Sequence, residues 1–196
     1  MAFKPRLFVS LLNAMFDYQA LIDKYYPSEQ PELRDIYIKH ATQVADLALE
    51  INEQCRLGLD PEEVRAAAMI HDIGIFATDA QGIHCHGTEP YLRHGLIGAE
   101  LLRREGAPEE WALVAERHTG SGITAEDVIM LDLPLPVADY CPTTLLQKLI
   151  CYADKFYSKS GSMTRKSLDR VRMSLACHGS DALARFDALH KLFIPR

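Results

Sequence analysis

The sequence predicts an all-α fold, and three observations predict it. Apolar residues recur at three- and four-residue steps along most of the chain. No run alternates strictly over more than a few residues, and no Asn-Gly or Asp-Gly hairpin signal occurs. Proline and glycine fall between the periodic stretches. A chain of 196 residues is the size of one domain, and 48% apolar composition can fill its core.

The elements follow in order. Leu7, Leu11, Met15, Tyr18 and Ile22 form a stripe, so residues 1–28 are expected as an amphipathic helix packed on the core, broken by Pro27 and Pro31. Residues 29–196 make the main body. A helix over residues 32–56 puts Tyr37, Val44, Leu47, Ala48 and Ile51 on one face, with Gly58 beyond its end. Asp60-Pro61-Glu62-Glu63 reads as an N-cap, a first-turn proline and two carboxylates on the positive helix end, opening a helix to about residue 76. Residues 77–90 are a Gly-, Thr- and His-rich loop. A helix over 91–105 stops at Gly106; the next follows Pro108, carries Trp111, Val114 and Ala115 inward and reaches His118. Thr124-Ala125-Glu126-Asp127 resembles a capping box on a short helix. Pro134, Pro136 and Pro142 make 132–142 a long ordered loop or lid. A helix over 144–158 and two more, split at Gly179-Ser180, bring the expectation to about seven to nine helices.

The net charge of −6 works against a nucleic-acid polymer or an acidic membrane as partner, because both recruit a positive face. No segment reaches the roughly 18 apolar residues of a membrane helix. The N-terminal Lys4, Arg6 and the short apolar run after them lack a cleavage site of signal-peptide type. Five widely spaced cysteines without a C-x-x-C pair read as free thiols of a reducing compartment, so a cytoplasmic location is expected.

The placement of the histidines points to chemistry. His40 has Tyr37, Val44, Leu47 and Ile51 on its face; His71 has Val64, Ala67, Ala68 and Ile75, with Asp72 beside it. His94 shares a face with Ile97, Gly98 and Leu101, His118 follows Trp111, Val114 and Ala115, and Asp154 follows Leu146, Ile150 and Cys151. Any one such residue is readily a satisfied core group. Together they would need six separate partners in one small core, whereas a divalent cation binds imidazoles and carboxylates at once and cancels buried negative charge. Residues 155–172 carry Lys155, Lys159, Arg165, Lys166, Arg170 and Arg172 against Asp169 alone, which suits an anionic substrate or, equally, a solvated helix face. Of these, Lys155 adjoins Asp154. His84-Cys85-His86 reads as a loop at the cavity mouth, where His86 contacts substrate or donates a proton; His178 and His190 read as structural.

The order His40, His71-Asp72-Ile73-Gly74, Asp154 resembles the HD-domain metal-dependent phosphohydrolase superfamily, in its H-D-I-G branch, over roughly residues 30–160. The resemblance implies a helical bundle in which His40, His71, Asp72 and Asp154 hold one metal. His94 and His118 match the two extra histidines of six-ligand members, which bind two metals bridged by the Asp. The stretch from His118 to Thr124 is similar to the HD-GYP phosphodiesterases but carries Arg117 in place of a histidine and Ile123-Thr124 in place of Tyr-Pro. The expected activity is hydrolysis of a phosphomonoester or phosphodiester, a nucleotide or other small phosphorylated metabolite. Asp72, Lys155, Arg117 and His86 would serve catalysis, with one or two divalent ions (Mn, Fe, Zn, Ni or Mg) as cofactor. Two alternatives stay open: a di-iron oxygenase of the same fold, as inositol oxygenase and the phosphonate-cleaving oxygenases are, and a nucleotide-binding regulator without turnover. The N-terminal helix is expected to pack on its own core or on a second subunit.

Overall fold

A computed structural model describes residues 16–195. Leu7, Leu11 and Met15 of the first stripe lie outside the described residues. Nine α-helices are present among them: α1 Tyr18–Tyr25, α2 Pro31–Gln54, α3 Pro61–Ile70, α4 His94–Arg104, α5 Glu109–Arg117, α6 Ala125–Met130, α7 Leu145–Asp154, α8 Leu168–Ala176 and α9 Ser180–Leu192. The all-α expectation holds. One antiparallel ribbon, β1 Asp79–Ala80 with β2 Cys85–His86, sits in the expected loop and pairs Asp79 with His86 and Ala80 with Cys85.

Local chemistry explains most boundaries. Asp60 caps α3 by accepting from the Glu62 N–H at 3.0 Å. Thr124 and Asp127 form the expected capping box of α6, and Thr144 with Gln147 forms another on α7. α3 lies at the centre, packed against α1, α2, α5 and α7. Its Ala66, Ala67, Ala68, Met69 and Ile70 are all buried, as fits a helix surrounded on every side. The three small side chains let neighbouring helices approach closely. α4 packs on α5, α5 on α7, and α8 and α9 form a pair with α9 against α7.

Three boundaries differ from the sequence expectation: α4 begins at His94 after a 3-10 turn over Tyr91–Arg93, α7 ends at Asp154 instead of 158, and α3 ends early. α3 stops at Ile70, and residues 71–77 continue as turns and a single 3-10 turn over Ile75–Ala77. Ile73 and Ile75 remain fully buried, so the apolar pattern persists after the helix has ended. The turn is fastened from two sides. The Tyr26 hydroxyl donates to the Ile73 carbonyl at 2.9 Å, and the Tyr37 hydroxyl donates to the Met69 carbonyl at 2.7 Å. The two rings stack with centroids 3.9 Å apart. Gly74 then allows α4 to close on the turn: a Cβ there would stand 2.3 Å from the His94 carbonyl oxygen and 2.5 Å from the Gly98 nitrogen.

Candidate metal centre

Three of the four inward histidines end a helical segment. His71 follows α3, His118 follows α5, and His94 follows a 3-10 turn over Tyr91–Arg93. Each directs Nδ1 at the carbonyl three residues back: His71 to Ala68 at 2.6 Å, His94 to Tyr91 at 2.6 Å, His118 to Ala115 at 2.7 Å. The Ala68 and Ala115 carbonyls lie at helix ends, where intrahelical partners run out, and the ring N–H takes that place; the Tyr91 carbonyl accepts from the His94 backbone N–H as well. That bond also fixes the tautomer, so that in the neutral ring each Nε2 directs its lone pair inward. His40 reaches the same place from the middle of α2.

The six groups converge as two sets joined by one carboxylate. His40 Nε2 lies 3.1 Å from Asp72 Oδ2 and 3.0 Å from Asp154 Oδ1; His71 Nε2 lies 3.2 Å and 3.5 Å from the same oxygens. The other oxygen of Asp72, Oδ1, stands 3.4 Å from His94 Nε2 and 3.2 Å from His118 Nε2. These are the four-residue and three-residue groups with donor atoms within 4.8 Å of one another, and every member is buried. Asp72, in the turn and not on a helix, is fully buried and belongs to both.

A divalent cation fits each set. Two donors about 2.1 Å from one ion stand about 3.0–3.4 Å apart at octahedral to tetrahedral angles, which is the spacing found. His40 Nε2, His71 Nε2 and both Asp72 oxygens have no hydrogen-bond partner of acceptable geometry although buried. In the second set, His94 Nε2 and His118 Nε2 face each other at 3.0 Å. With both Nδ1 atoms donating to carbonyls, two lone pairs meet there unless one ring is cationic. Burial opposes that, pulling His94 down to about 3 and His118 below its ordinary value. A shared cation removes the conflict.

The charges around the first set differ. Burial pulls the His71 imidazole down, but Asp72 and Asp154 outweigh it and raise its pKa to about 9. Burial raises the Asp72 and Asp154 carboxyls; Lys159 and His71 for the former, and Lys155 and Lys159 for the latter, bring both well below the carboxylate range. Cation binding needs the His71 lone pair and so must expel its proton. Between the ordinary 6.5 and about 9, loading is therefore expected to release close to one proton from this ring, and apparent affinity to rise with pH across that window. The same shift stabilises the metal-free fold fully below 6.5, a contribution lost as pH rises through about 9. Calorimetry in two buffers of different ionisation enthalpy counts the protons; a count near zero below pH 9 contradicts this assignment.

The remaining site expectations separate. Lys155 Nζ lies 2.7 Å from Asp154 Oδ2 and donates to the His118 carbonyl at 3.0 Å, tying the two sets together. Arg117 sits elsewhere: its Nη1 donates to Thr143 Oγ1 at 3.1 Å and its Nε lies 4.0 Å from Glu116. Adjacent residues at a helix end point about 100° apart, so with His118 turned inward Arg117 turns toward the start of α7. His86 is also apart from the cluster. In β2 the alternation buries Cys85 and exposes His86, which lines a separate cavity with Tyr25, Glu29 and Phe76.

Two residues at the centre lay outside the sequence-derived site. Lys159 Nζ stands 2.6 Å from Asp72 Oδ2. Burial lowers its pKa, but Asp72, Tyr91 and Asp154 outweigh that and hold the ammonium above its ordinary value. The Tyr91 ring stacks on His94 with centroids 4.7 Å apart, and Lys159 Nζ lies 5.9 Å from the Tyr91 ring centroid. Lys159 was visible only as one cation in a basic stretch, because it reaches the site after α7 has ended, where helical spacing no longer applies. Tyr91, Asp154, Lys155, Lys159 and Lys166 line a cavity of about 440 Å³ beside the first set.

Residues 37–158 match the HD domain family. A Methanocaldococcus jannaschii protein described as uncharacterized is 40% identical over 120 residues, covering 60% of this chain and 63% of its own length. The tRNA (cytidine(56)-2'-O)-methyltransferase of Picrophilus torridus is 31% identical over 86% of this chain and 47% of its own length. The protein of the same name from Thermoplasma volcanium is 32% identical over 80% and 41%. The chain thus spans less than two thirds of the length of each of these relatives. No solved structure matches it. No helix among the described residues is long and apolar enough to cross a membrane.

Proposed function

The chain belongs to the HD-domain family, and from that membership and the geometry of its centre we propose that it is a metal-dependent phosphohydrolase acting on a nucleotide or another small phosphorylated metabolite. The observation that carries the reading is the Asp72 carboxylate shared by two sets of inward donors, beside a cavity walled by Lys155, Lys159 and Lys166. His40, His71, Asp72 and Asp154 would hold one divalent ion, and Asp72, His94 and His118 a second. When bound, such ions supply Lewis acidity at phosphoryl oxygens and lower the pKa of a water toward neutrality.

The chain's own groups do the rest. Lys155 and Lys159 bind the non-bridging oxygens of the substrate and offset the charge that grows on them. The carbonyl bonds from His71, His94 and His118 hold the rings in place, so little reorganisation accompanies reaction. Burial of the ligand set keeps bulk water from competing for the donors. The lysine wall fits an anionic phosphoryl or phosphonyl group, so oxygen consumption against phosphate-ester turnover is what separates hydrolysis from oxygen activation on the same six donors.

We assign the methyl transfer named for the two longer relatives to the portion of them outside the matched stretch. The test is a panel of phosphomonoesters and phosphodiesters with Mn, Fe, Zn, Ni and Mg in turn. Phosphate release by wild type, and a loss of about 10²–10³-fold in kcat/KM in Lys159→Ala, are expected. Iron-dependent oxygen consumption without phosphate release, or methylation of tRNA by this chain, contradicts the reading.

A further inference from the structure

The basic stretch after Asp154 divides in space. Lys155 and Lys159 lie at the metal centre. Arg172 is neutralised by Asp187 at 2.8 Å. Arg165 and Arg170 belong to neither group, and Lys166 also lines the cavity at the centre. All three line a second cavity of about 490 Å³, which shares Ser158, Ser160 and Lys166 with the first. From this continuity we infer that the centre's cavity extends into a second anion subsite, so that the substrate carries a second phosphate apart from the one at the metal centre. The inference rests on the phosphohydrolase reading for the role of the first cavity.

Three features of the second cavity fit a phosphate. No carboxylate lines it, in a chain whose net charge is −6. Apart from Gly161 and Met163 its wall is otherwise serine and threonine, whose hydroxyls donate to phosphate oxygens, and two guanidinium forks suit the same group. Lys166 is the link: its Nζ donates to the Lys155 carbonyl at 3.0 Å, which holds the ammonium at the junction of the two cavities. Burial lowers the pKa of this amine, Asp154 opposes, and Lys155, Lys159 and Arg170 lower it further. Arg165 meets Glu50 at 3.4 Å and rests on the Phe156 ring at 5.7 Å, so its stem is held by the fold. Arg170 is exposed on the first turn of α8 and lines only the second cavity. The two groups of cations share Lys166 alone, so a single phosphate at the metal centre does not occupy the cavity that Arg170 lines, where the only ion pair of Arg165 among the described residues is its exposed 3.4 Å contact with Glu50.

Adenosine 3′,5′-bisphosphate and AMP are the probes, titrated calorimetrically into the purified protein. The bisphosphate is expected to bind about tenfold tighter, the difference one added charge-assisted contact makes. Arg170→Ala and Arg165→Ala should each bring the affinity ratio toward one, while Lys191→Ala, which removes a charge outside both cavities, should keep it. Equal affinities in wild type, or a ratio that survives in both variants, overturns the inference. Bisphosphate preference without turnover of any phosphoester removes the hydrolytic reading and leaves the subsite standing. Turnover of AMP with no preference does the reverse.

Discussion

Asp72→Asn is expected to empty both metal positions at once and to abolish turnover. The substitution keeps the shape of the side chain and removes its charge. Oδ2 lies within 3.2 Å of both His40 and His71, and Oδ1 within 3.4 Å of both His94 and His118, so one carboxylate serves two ligand sets. An amide offers a single weak oxygen donor, to one set only. His118→Ala, in contrast, should remove one ion and leave the four-residue set of His40, His71, Asp72 and Asp154 loaded. Elemental analysis therefore separates the two variants by stoichiometry. The metal-free variant should also lose stability, because Lys159 loses its partner at 2.6 Å in a buried setting. Breaking such a pair costs roughly 3–5 kcal/mol. Circular dichroism establishes that the variant is folded; wild-type metal content in a folded Asp72→Asn protein would refute the shared-carboxylate arrangement.

What was legible beforehand and what was not divides along physical lines. Caps are local, so Asp60 and the Thr124–Asp127 box could be read from four consecutive residues. The ligand set was legible because His40, His71, His94, His118 and Asp154 stand where helical spacing calls for an apolar residue, and Asp72 adjoins His71. The end of α3 was not, since Ile73 and Ile75 continue the apolar pattern after the backbone has left the helix. What stops α3 is tertiary: carbonyls held by Tyr26 and Tyr37, and a glycine in contact with another helix. Lys159 and Tyr91 were missed for the same reason, as they join the site through space from irregular segments. Arg117 was placed near it by its adjacency to His118 and His86 by the reading of its loop as the cavity mouth, and the direction of a single side chain moved each away.

Gly74→Ala should cost one ion although it replaces no ligand. The backbone of Gly74, at φ −88° and ψ −3°, is ordinary for alanine, so no torsional strain is involved. The obstacle is contact, because the added Cβ meets the His94 carbonyl at 2.3 Å and the Gly98 nitrogen at 2.5 Å. Both are backbone atoms and cannot rotate aside, so α4 must retreat. Gly98 marks the same close approach from the other side, its own Cβ position lying 3.3 Å from the Gly74 nitrogen. α4 is also bound to α5 through Arg103, which meets Glu109 at 2.7 Å and Glu116 at 2.8 Å. Retreat of α4 therefore strains the pair of helices that bring His94 and His118 to Asp72. Overpacking of this kind costs roughly 1–3 kcal/mol, which in a chain of this length lowers Tm by about 2–4 °C per kcal/mol. The set of His40, His71, Asp72 and Asp154 does not depend on α4 and should stay loaded, so metal content falls by one ion while the protein remains folded. Gly82→Ala is the control, since nothing lies within 4 Å of a Cβ at that position. A Gly74→Ala protein with unchanged melting and unchanged metal content would show that α4 is free to shift, and that the second ligand set is not held by the close contact between Gly74 and Gly98.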